Sequence, residues 1–202
     1  MAKLISIVST MYKSSGTIEE FSNRCFKISD KLPGYEAELI LVDDGSPDES
    51  LKIARSLQKT EARISIVELS KNFGHHKAMM AGLSYCTGDL IFLIDSDLEE
   101  SPENLIEFLN LLVAENLDVV FGKQKIRRGS AFSRCVGKLY YSLFRILSGI
   151  KQPDNIVTCR LMVRKYVDAL LMHNERELSI GGLWLETGFN QRAVEIIKTN
   201  SR

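Results

Sequence analysis

The chain has few cysteines and no long apolar run, and both absences narrow its class. Only four of its 202 residues are cysteine, and they stand far apart, so no Cys-x-x-Cys pair exists for zinc or redox chemistry. Separate thiols of this kind are typical of a reducing cytoplasm. No apolar stretch reaches membrane-spanning length, and the first residues show no secretory signal pattern. We therefore expect a cytoplasmic domain that does not itself cross a membrane.

An excess of one charge is also missing, and so is a glycine-rich fingerprint. Lys and Arg together number 26, as do Asp and Glu, which argues against nucleic acid or any other partner bound by bulk charge. A Rossmann-type dehydrogenase needs G-x-G-x-x-G after its first strand, where this chain has only Gly16. The composition, 45% hydrophobic and 26% charged, is ordinary for a globular protein, and we expect one domain over residues 1–202.

Apolar runs and helical spacings alternate along the first two-thirds of the chain. The runs predict strands at 3–10, 38–42, 64–69, 90–94 and 118–121. Helical spacing predicts helices at 17–31, 75–85 and 102–114, and a further helix capped by Ser46, with Pro47 at its first position and Glu49 completing a capping box. This order predicts an α/β fold, with a mostly parallel sheet and helices on both faces.

Two aspartates after the fourth predicted strand are the strongest functional signal. Asp95 and Asp97 follow the apolar run 90–94, at the carboxyl end of a buried strand, where open α/β sheets bind ligands. Two close carboxylates repel each other unless a cation lies between them, and Mg²⁺ or Mn²⁺ bridging to a diphosphate meets that need. The alternative is a pair of solvated turn aspartates, one of which caps the next helix.

A second acidic loop follows the second predicted strand. Asp43 and Asp44 end that strand on the same edge of the predicted sheet, and Gly45 permits a tight turn. A carboxylate at this place can accept hydrogen bonds from a nucleobase or from ribose hydroxyls. Helix capping explains the later Asp48 and Glu49, but it does not explain two further aspartates before the glycine.

Several short segments between about residue 4 and residue 190 match, in order, the motifs of one protein family. They are strand one with its Tyr12 loop, VDDGSPD from Val42, SKNFG from Ser70, GDLIFLIDSDLEESPE from Gly88 and RLM from Arg160. Each is weakly specific, but all of them in this order are strongly specific. The chain resembles the inverting GT-A glycosyltransferases of family 2, especially the branch with dolichol-phosphate mannose synthase and bacterial polyprenyl-phosphate sugar transferases. The resemblance implies the GT-A fold, with a Rossmann-like sheet.

The resemblance also implies partners and a role for each matching residue. It implies a UDP- or GDP-linked sugar donor, Mg²⁺ or Mn²⁺, and a polyprenyl-phosphate or oligosaccharide acceptor. The residues implied to bind the nucleotide are Thr10, Tyr12, Asp43, Asp44, Asn72, Lys77, Asp95 and Ser96. The implied metal ligands are Asp95, Asp97 and Glu99. The implied catalytic residues are Asp97, Arg127 and Arg160, of which the two arginines would grip phosphates.

The basic residues and the histidines can each be interpreted in more than one way. Arg127 and Arg128 fit an ordinary solvated loop as well as a phosphate grip. Arg160 lies in an apolar setting, where an unpaired charge is costly, so it needs either an anionic ligand or a structural Asp or Glu. His75 and His76 begin a predicted helix, where they fit either surface histidines or a catalytic pair.

The stretch 130–149 bears on the acceptor. Apolar residues from Phe132 to Leu147 share one face, with Arg134, Lys138 and Arg145 among them. Such a helix either lies in a membrane interface or packs on a core. The resemblance places the region of about 125–190 near acceptor and membrane, with transmembrane helices after the catalytic domain. We therefore expect a catalytic fragment, a protein peripheral to the cytoplasmic face, or one anchored by a partner; a homo-oligomer is also compatible with the sequence.

The expected chemistry is an inverting displacement. The metal and the arginines neutralise the departing nucleoside diphosphate, while an acceptor oxygen attacks the anomeric carbon from the opposite face. A lipid phosphate is already anionic near neutral pH and needs no strong base. A sugar hydroxyl needs a carboxylate to take its proton, for which we consider Glu99 and Glu186.

Two other classes of function stay open from the sequence. A phosphatase or hydrolase with Asp95 as nucleophile fits a similar sheet, but it does not require the acidic loop at Asp43 and Asp44. A catalytically silent module would keep the fold and bind a nucleotide without turnover. Nucleotide binding tests the first alternative, and turnover of a nucleotide-sugar tests the second.

Overall fold

The computed structural model describes residues 2–124, 155–173 and 180–199, which form one mixed sheet flanked by helices. The strands are β1 (Lys3–Met11), β2 (Tyr35–Asp43), β3 (Ile64–Glu68), β4 (Leu90–Leu93), β5 (Val119–Gln124), β6 (Ile156–Val163) and β7 (Gln191–Ile196). The helices are α1 (Ile18–Ser29), α2 (Ser50–Thr60), α3 (His75–Tyr85), α4 (Asn104–Ala114), α5 (Arg164–Leu171) and α6 (Ile180–Glu186).

The sheet is mostly parallel, as predicted, with one reversed strand. Its order is β3-β2-β1-β4-β6-β5-β7. The pairs β1–β2, β2–β3, β1–β4 and β5–β7 are parallel, whereas β6 runs antiparallel to both β4 and β5. The sequence did not predict β6 or β7. In β6, Arg160 interrupts the apolar run that marks a buried strand, although the residue is only 1% exposed.

Two hydrophobic cores lie on the two faces of the sheet. One packs α1, α2 and α4 against the strands, with Phe92 and Phe108 in edge-to-face contact at 6.3 Å. The other packs α3, α5 and α6 against the opposite face. Neighbouring strand residues alternate between the two cores, as Ile7 and Val8 do in β1, because successive side chains of a strand point to opposite faces. The prediction of helices on both faces is therefore confirmed.

The predicted start of α2 is wrong. Ser46 does not cap a helix; its N–H donates to the Asp43 carboxylate at 3.3 Å, and its Oγ donates to the Met11 carbonyl oxygen at 3.3 Å. The helix begins at Ser50, whose N–H and Oγ both donate to Asp48 Oδ1. The serine of the apparent capping box is instead used to join the loops after β1 and β2.

Gly82 sets how closely α3 approaches the sheet. A Cβ at this position would lie 2.6 Å from Val8 Cγ1 and 2.7 Å from Val42 Cγ2, both buried. We expect Gly82→Ala to lower the free energy of unfolding by about 1–3 kcal/mol, because α3 or the two valines must shift in a packed core. Chemical denaturation measures this difference. Gly16→Ala is the matched control, since no atom lies within 4 Å of a Cβ there, and an equal loss in both variants would contradict the prediction.

Candidate active site

The first four strands are parallel, and their carboxyl ends define the candidate site. In the sheet register, Met11 of β1 pairs with Asp43 of β2, and Val8 of β1 pairs with Leu93 of β4. The chain order reverses at β1, with β2 and β3 on one side and β4 on the other. Open α/β sheets bind ligands in the crevice at such a point. The structure confirms that Asp43 and Asp95 come to the same edge.

Ser96 ties the loop after β4 to β1. Its Oγ donates a hydrogen bond to the Thr10 carbonyl oxygen at 2.8 Å and lies within hydrogen-bond distance of Ser14 Oγ, at 3.1 Å. The Ser96 residue is 2% exposed. These bonds fix the neighbouring Asp95 at the junction of β1 and β4. For Thr10 and Ser96 the structure thus shows a positioning role, and a direct contact with nucleotide stays a prediction.

Asp44 organises the loop that follows β3. It is 3% exposed, and its two carboxylate oxygens accept the backbone N–H groups of Phe73 at 2.7 Å and Gly74 at 3.0 Å. The N–H of Asp44 itself donates to the Met11 carbonyl oxygen at 3.0 Å. One residue therefore links the loops after β1, β2 and β3, whereas contact of its carboxylate with a base or ribose stays a prediction.

Asp43 and Gly45 complete this junction. Asp43 is 2% exposed, and its carbonyl oxygen accepts the N–H of Leu69 at 3.0 Å. Gly45 has a φ of +67°, and a Cβ on it would lie 2.7 Å from the backbone N of Asn72. Because a side chain at this position meets backbone rather than a movable group, glycine allows the two loops to touch.

His75 bridges β1 and the acidic loop, and the helix start predicted at this residue is confirmed. Its Nδ1 lies 3.0 Å from Thr10 Oγ1, and its Nε2 lies 3.3 Å from Asp95 Oδ1. Burial, together with the positive charge of His76 when protonated, lowers the pKa of His75. A histidine with a lowered pKa is mainly neutral at neutral pH, so His75 contributes little positive charge to the site.

Asp95 is the electrostatically most unusual carboxylate of the site. Burial raises its pKa to about 6, and the nearby charge of Asp97 adds to the rise, while Thr158 and Lys198 oppose it. Asp95 Oδ1 is buried and makes no hydrogen bond, although the His75 ring is nearby. An ionised carboxylate oxygen without a donor is costly, and a positive charge at this point would remove the cost.

The two aspartates fit a divalent cation, because carboxylate oxygens are the ligands that Mg²⁺ and Mn²⁺ prefer. Asp97 is exposed, and its Oδ1 accepts the N–H of Glu99 at 2.9 Å. Glu99 Oε2 lies 3.3 Å from Lys198 Nζ. Within residues 2–124, 155–173 and 180–199, no group of three or more His, Cys, Asp or Glu side chains is arranged to hold a metal. The role of Glu99 as third ligand stays a prediction.

Glu100 and Lys198 belong to the site, although the sequence interpretation did not include them. Glu100 is 0% exposed; its Oε2 accepts the N–H of Cys159 in β6 at 2.7 Å, and its Oε1 lies 3.1 Å from Lys198 Nζ. Lys198 follows β7 and is distant in sequence, so no local pattern could have found it. A glutamate next to the Asp-x-Asp segment was visible, but its burial was not.

Arg160 is buried inside the protein beside the site. It pairs with Leu93 in the sheet register, and its guanidinium donates to the carbonyl oxygens of Thr158 at 3.1 Å and Val157 at 3.2 Å. The guanidinium also lies over the Trp184 ring, an arrangement favourable for a cation. Burial lowers the pKa of Arg160 to about 9. Its predicted contact with a phosphate stays a prediction.

Exposed aromatic and basic side chains lie on the loops after β1 and β3. Tyr12 is 47% exposed with Lys13 Nζ 5.5 Å from its ring centroid, and Phe73 is 43% exposed with Lys71 Nζ 5.2 Å from its ring centroid. Two further residues that are predicted to bind the nucleotide, Asn72 and Lys77, are also exposed. Arg127, Arg128 and the stretch 130–149 lie outside the described residues.

The raised pKa of Asp95 makes a testable prediction about stability. Its folded pKa of about 6 lies above the ordinary 3.8, so the folded state holds this proton more tightly, and stability is lost as the pH rises through this interval. In metal-free protein at neutral pH, we expect Asp95→Asn to raise the free energy of unfolding by on the order of 1–3 kcal/mol. The gain should shrink as the pH falls toward 4, as measured by denaturation at several pH values.

Asp48→Asn is a control for which we expect the opposite change in the free energy of unfolding. Burial would raise the pKa of Asp48, but hydrogen bonds from Ser50 and Ser15 outweigh it and lower the pKa to about 2. Loss of this carboxylate should therefore destabilise the protein at neutral pH. A gain for Asp95→Asn that is the same at acidic and neutral pH would contradict the assignment.

Comparisons of the whole sequence identify its relatives. The model of the family "Glycosyl transferase family 2" matches residues 6–171. A Mycobacterium tuberculosis protein named as a glycosyltransferase is 45% identical over 96% of this chain and 56% of its own length. The undecaprenyl-phosphate 4-deoxy-4-formamido-L-arabinose transferase of Klebsiella pneumoniae is 33% identical over 96% of this chain and 58% of its own length. The chain thus spans little more than half of these relatives.

Solved structures share the fold. The mannosyltransferase PcManGT of Pyrobaculum calidifontis, in complex with GDP-Man and Mn²⁺, matches 96% of this chain and 55% of its own with a TM-score of 0.66 and 14% identity. S. aureus TarS in complex with UDP-GlcNAc matches 100% of this chain and 60% of its own with a TM-score of 0.65 and 18% identity. At these identities the likeness shows the GT-A fold alone. The matches in sequence carry the stronger conclusion, which is that the chain belongs to glycosyl transferase family 2.

Proposed function

We propose that this chain is the catalytic domain of an inverting, metal-dependent glycosyltransferase that moves a sugar from a nucleotide-sugar to a polyprenyl phosphate. The observation that carries the proposal is Asp95. Its Oδ1 is a buried carboxylate oxygen without a hydrogen bond, at the point of the sheet where α/β folds bind ligands. Asp97 follows it, and both belong to a chain of glycosyl transferase family 2.

The donor side is supported by the three loops that Asp44 joins. A nucleoside diphosphate in the crevice would have its base near the exposed rings of Tyr12 and Phe73, and its phosphates near Asp95 and Asp97. The similar structures named above were solved with GDP-Man and with UDP-GlcNAc. Aromatic faces can stack on either base, so the base is left open between UDP and GDP.

Asp95 and Asp97 would hold Mg²⁺ or Mn²⁺, which when bound supplies positive charge against the diphosphate. The chain's own residues do the rest of the positioning. Ser96 fixes the loop to β1, and His75 remains a neutral neighbour of Asp95. The diphosphate then leaves with the bonding electron pair as the acceptor oxygen forms the new bond at the anomeric carbon, on the opposite face.

The acceptor is proposed from chemistry and from one relative. A phosphate oxygen is anionic near neutral pH, so its attack needs no general base. The Klebsiella pneumoniae relative carries undecaprenyl phosphate in its name. Among the described residues, no helix is both long and apolar enough to span a membrane. We propose that the domain works at the cytoplasmic membrane surface, where a polyprenyl phosphate is found.

A saccharide hydroxyl is the second candidate acceptor, as in the assembly of a surface polysaccharide. It requires a carboxylate that takes a proton. Glu99 lies in the acidic loop and is partly exposed, whereas Glu186 ends α6 shortly before β7 begins at the other edge of the sheet. Glu99 is therefore the better candidate base if the acceptor is a hydroxyl.

Metal dependence is tested with Asp97. Asp97→Asn keeps the shape of the side chain but removes its charge, and we expect at least about a 100-fold loss of transfer with little loss of stability, because the residue is exposed. Transfer from radiolabelled UDP- and GDP-sugars is measured with Mn²⁺, with Mg²⁺ and with excess EDTA. Glu107→Gln is a control in α4. Full wild-type turnover in EDTA would remove the metal from the proposal.

The acceptor is tested by competition. With the donor that supports turnover, undecaprenyl phosphate and an oligosaccharide are offered together, and we expect labelled lipid as the main product, with inverted anomeric configuration by NMR. The full chain is used. Labelled oligosaccharide alone would replace the lipid acceptor with a hydroxyl, and then Glu99→Gln should abolish transfer.

A further inference from the structure

The loop that carries the two aspartates has a strained turn. Leu98, between Asp97 and Glu99, has a φ of +62°, in the left-handed region that non-glycine residues seldom adopt. Such a conformation costs about 1 kcal/mol or more and persists only where neighbouring contacts enforce it. The turn directly follows Asp97, whose Oδ1 accepts the N–H of Glu99 across it at 2.9 Å.

A segment from the other end of the chain makes those contacts. The N–H of Thr199 donates to the Glu99 carbonyl oxygen at 2.9 Å, and its Oγ1 donates to the Leu98 carbonyl oxygen at 2.9 Å. A longer contact from the same Oγ1 reaches the Glu99 carbonyl oxygen at 3.3 Å. The backbone N–H and the hydroxyl of Thr199 therefore hold the two residues at the strained turn.

Lys198 and Glu100 make further contacts that hold the loop. Lys198 Nζ lies 3.3 Å from Glu99 Oε2 and 3.1 Å from Glu100 Oε1. The other oxygen of Glu100, which is fully buried, accepts the N–H of Cys159 in β6. The acidic loop is thus fastened both to β6 and to the segment after β7.

We infer that Lys198 and Thr199 are positioning residues for the divalent cation, which they serve by holding Leu98 in its left-handed conformation and thereby aiming Asp97. The inference rests on the proposed function for the identity of the ligand. Neither side chain needs to touch the cation. Partners that orient metal ligands in this way typically change metal affinity about 10- to 100-fold when they are removed.

Thr199 offers the cleaner test of the two. Removing Lys198 would also change the net charge of the acidic loop, and with it the general attraction for any cation. Thr199→Val keeps both the charge and the shape, and it loses only the hydroxyl. Because Thr199 is exposed, the protein should remain folded. Thr199→Ser restores the hydroxyl, and Thr60→Val is a matched control, since Thr60 Oγ1 donates to the Leu57 carbonyl oxygen at the end of α2.

Mn²⁺ affinity is measured on the full chain by paramagnetic resonance of free Mn²⁺, in the presence of whichever of UDP or GDP the wild type binds. Thr199→Val should weaken Mn²⁺ binding about 10-fold, with an unchanged melting temperature in EDTA, while Thr199→Ser and Thr60→Val keep wild-type affinity. Unchanged affinity in Thr199→Val, or the same loss in Thr199→Ser, overturns the inference. A wild type that binds no Mn²⁺ overturns the proposed function instead, so the two failures are distinct.

Discussion

Repulsion among carboxylates is the constraint on which the candidate site depends. Four of the six residues from 95 to 100 are acidic, and they are held in one tight loop. Such a cluster is stable only if donors and positive charges compensate it. The structure supplies the N–H of Cys159 to Glu100 and the ammonium of Lys198 to Glu99 and Glu100. Asp95 Oδ1 is buried and accepts no hydrogen bond, and the His75 ring nitrogen lies 3.3 Å from it.

This compensation explains why elements distant in sequence meet at the site. The loop after β4 is held by β1 through Ser96, by β6 through Glu100 and by the segment after β7 through Thr199. The strand that runs against the others, β6, lies between β4 and β5 and so brings its backbone beside the acidic loop. A mixed sheet therefore serves the site as well as the core.

The alternation of strands and helices in the first two-thirds of the chain was predictable, because the spacing of apolar residues along the sequence reflects which side chains are buried. Runs such as 90–94 and spacings such as that of α3 reflect which face is covered, and α3 begins and ends where predicted, at His75 and Tyr85. β6 was missed because a buried arginine breaks its apolar run. The start of α2 was wrong because Ser46 bonds to Asp43 and Met11, and hydrogen bonds between loops leave no periodic trace.

The same limit applies to the site. Acidic residues at strand ends could be assigned to one edge of the sheet, because the ends of parallel strands meet there. What each carboxylate does there depends on the third dimension. Asp44 is predicted to contact a nucleotide. In the structure, both of its carboxylate oxygens accept hydrogen bonds from backbone N–H groups of the loop after β3. Lys198 carried no local signal, because its partners stand 98 and 99 positions earlier in the chain.

The cost of Asp95 to the fold is itself an argument about function. Burial raises its pKa to about 6, so we expect an ionised Asp95 at neutral pH to be less favourable for the fold than a neutral amide would be. Glu100 shows that the same fold can pair a carboxylate even more deeply buried. Glu100 Oε1 has the ammonium of Lys198 at 3.1 Å, whereas Asp95 Oδ1 has the mainly neutral ring of His75 at 3.3 Å, and this contrast supports our proposal that a cation binds at Asp95. Natural proteins break the rules of stability mainly where function requires it, and Asp95 stands at the point where this fold binds its ligands.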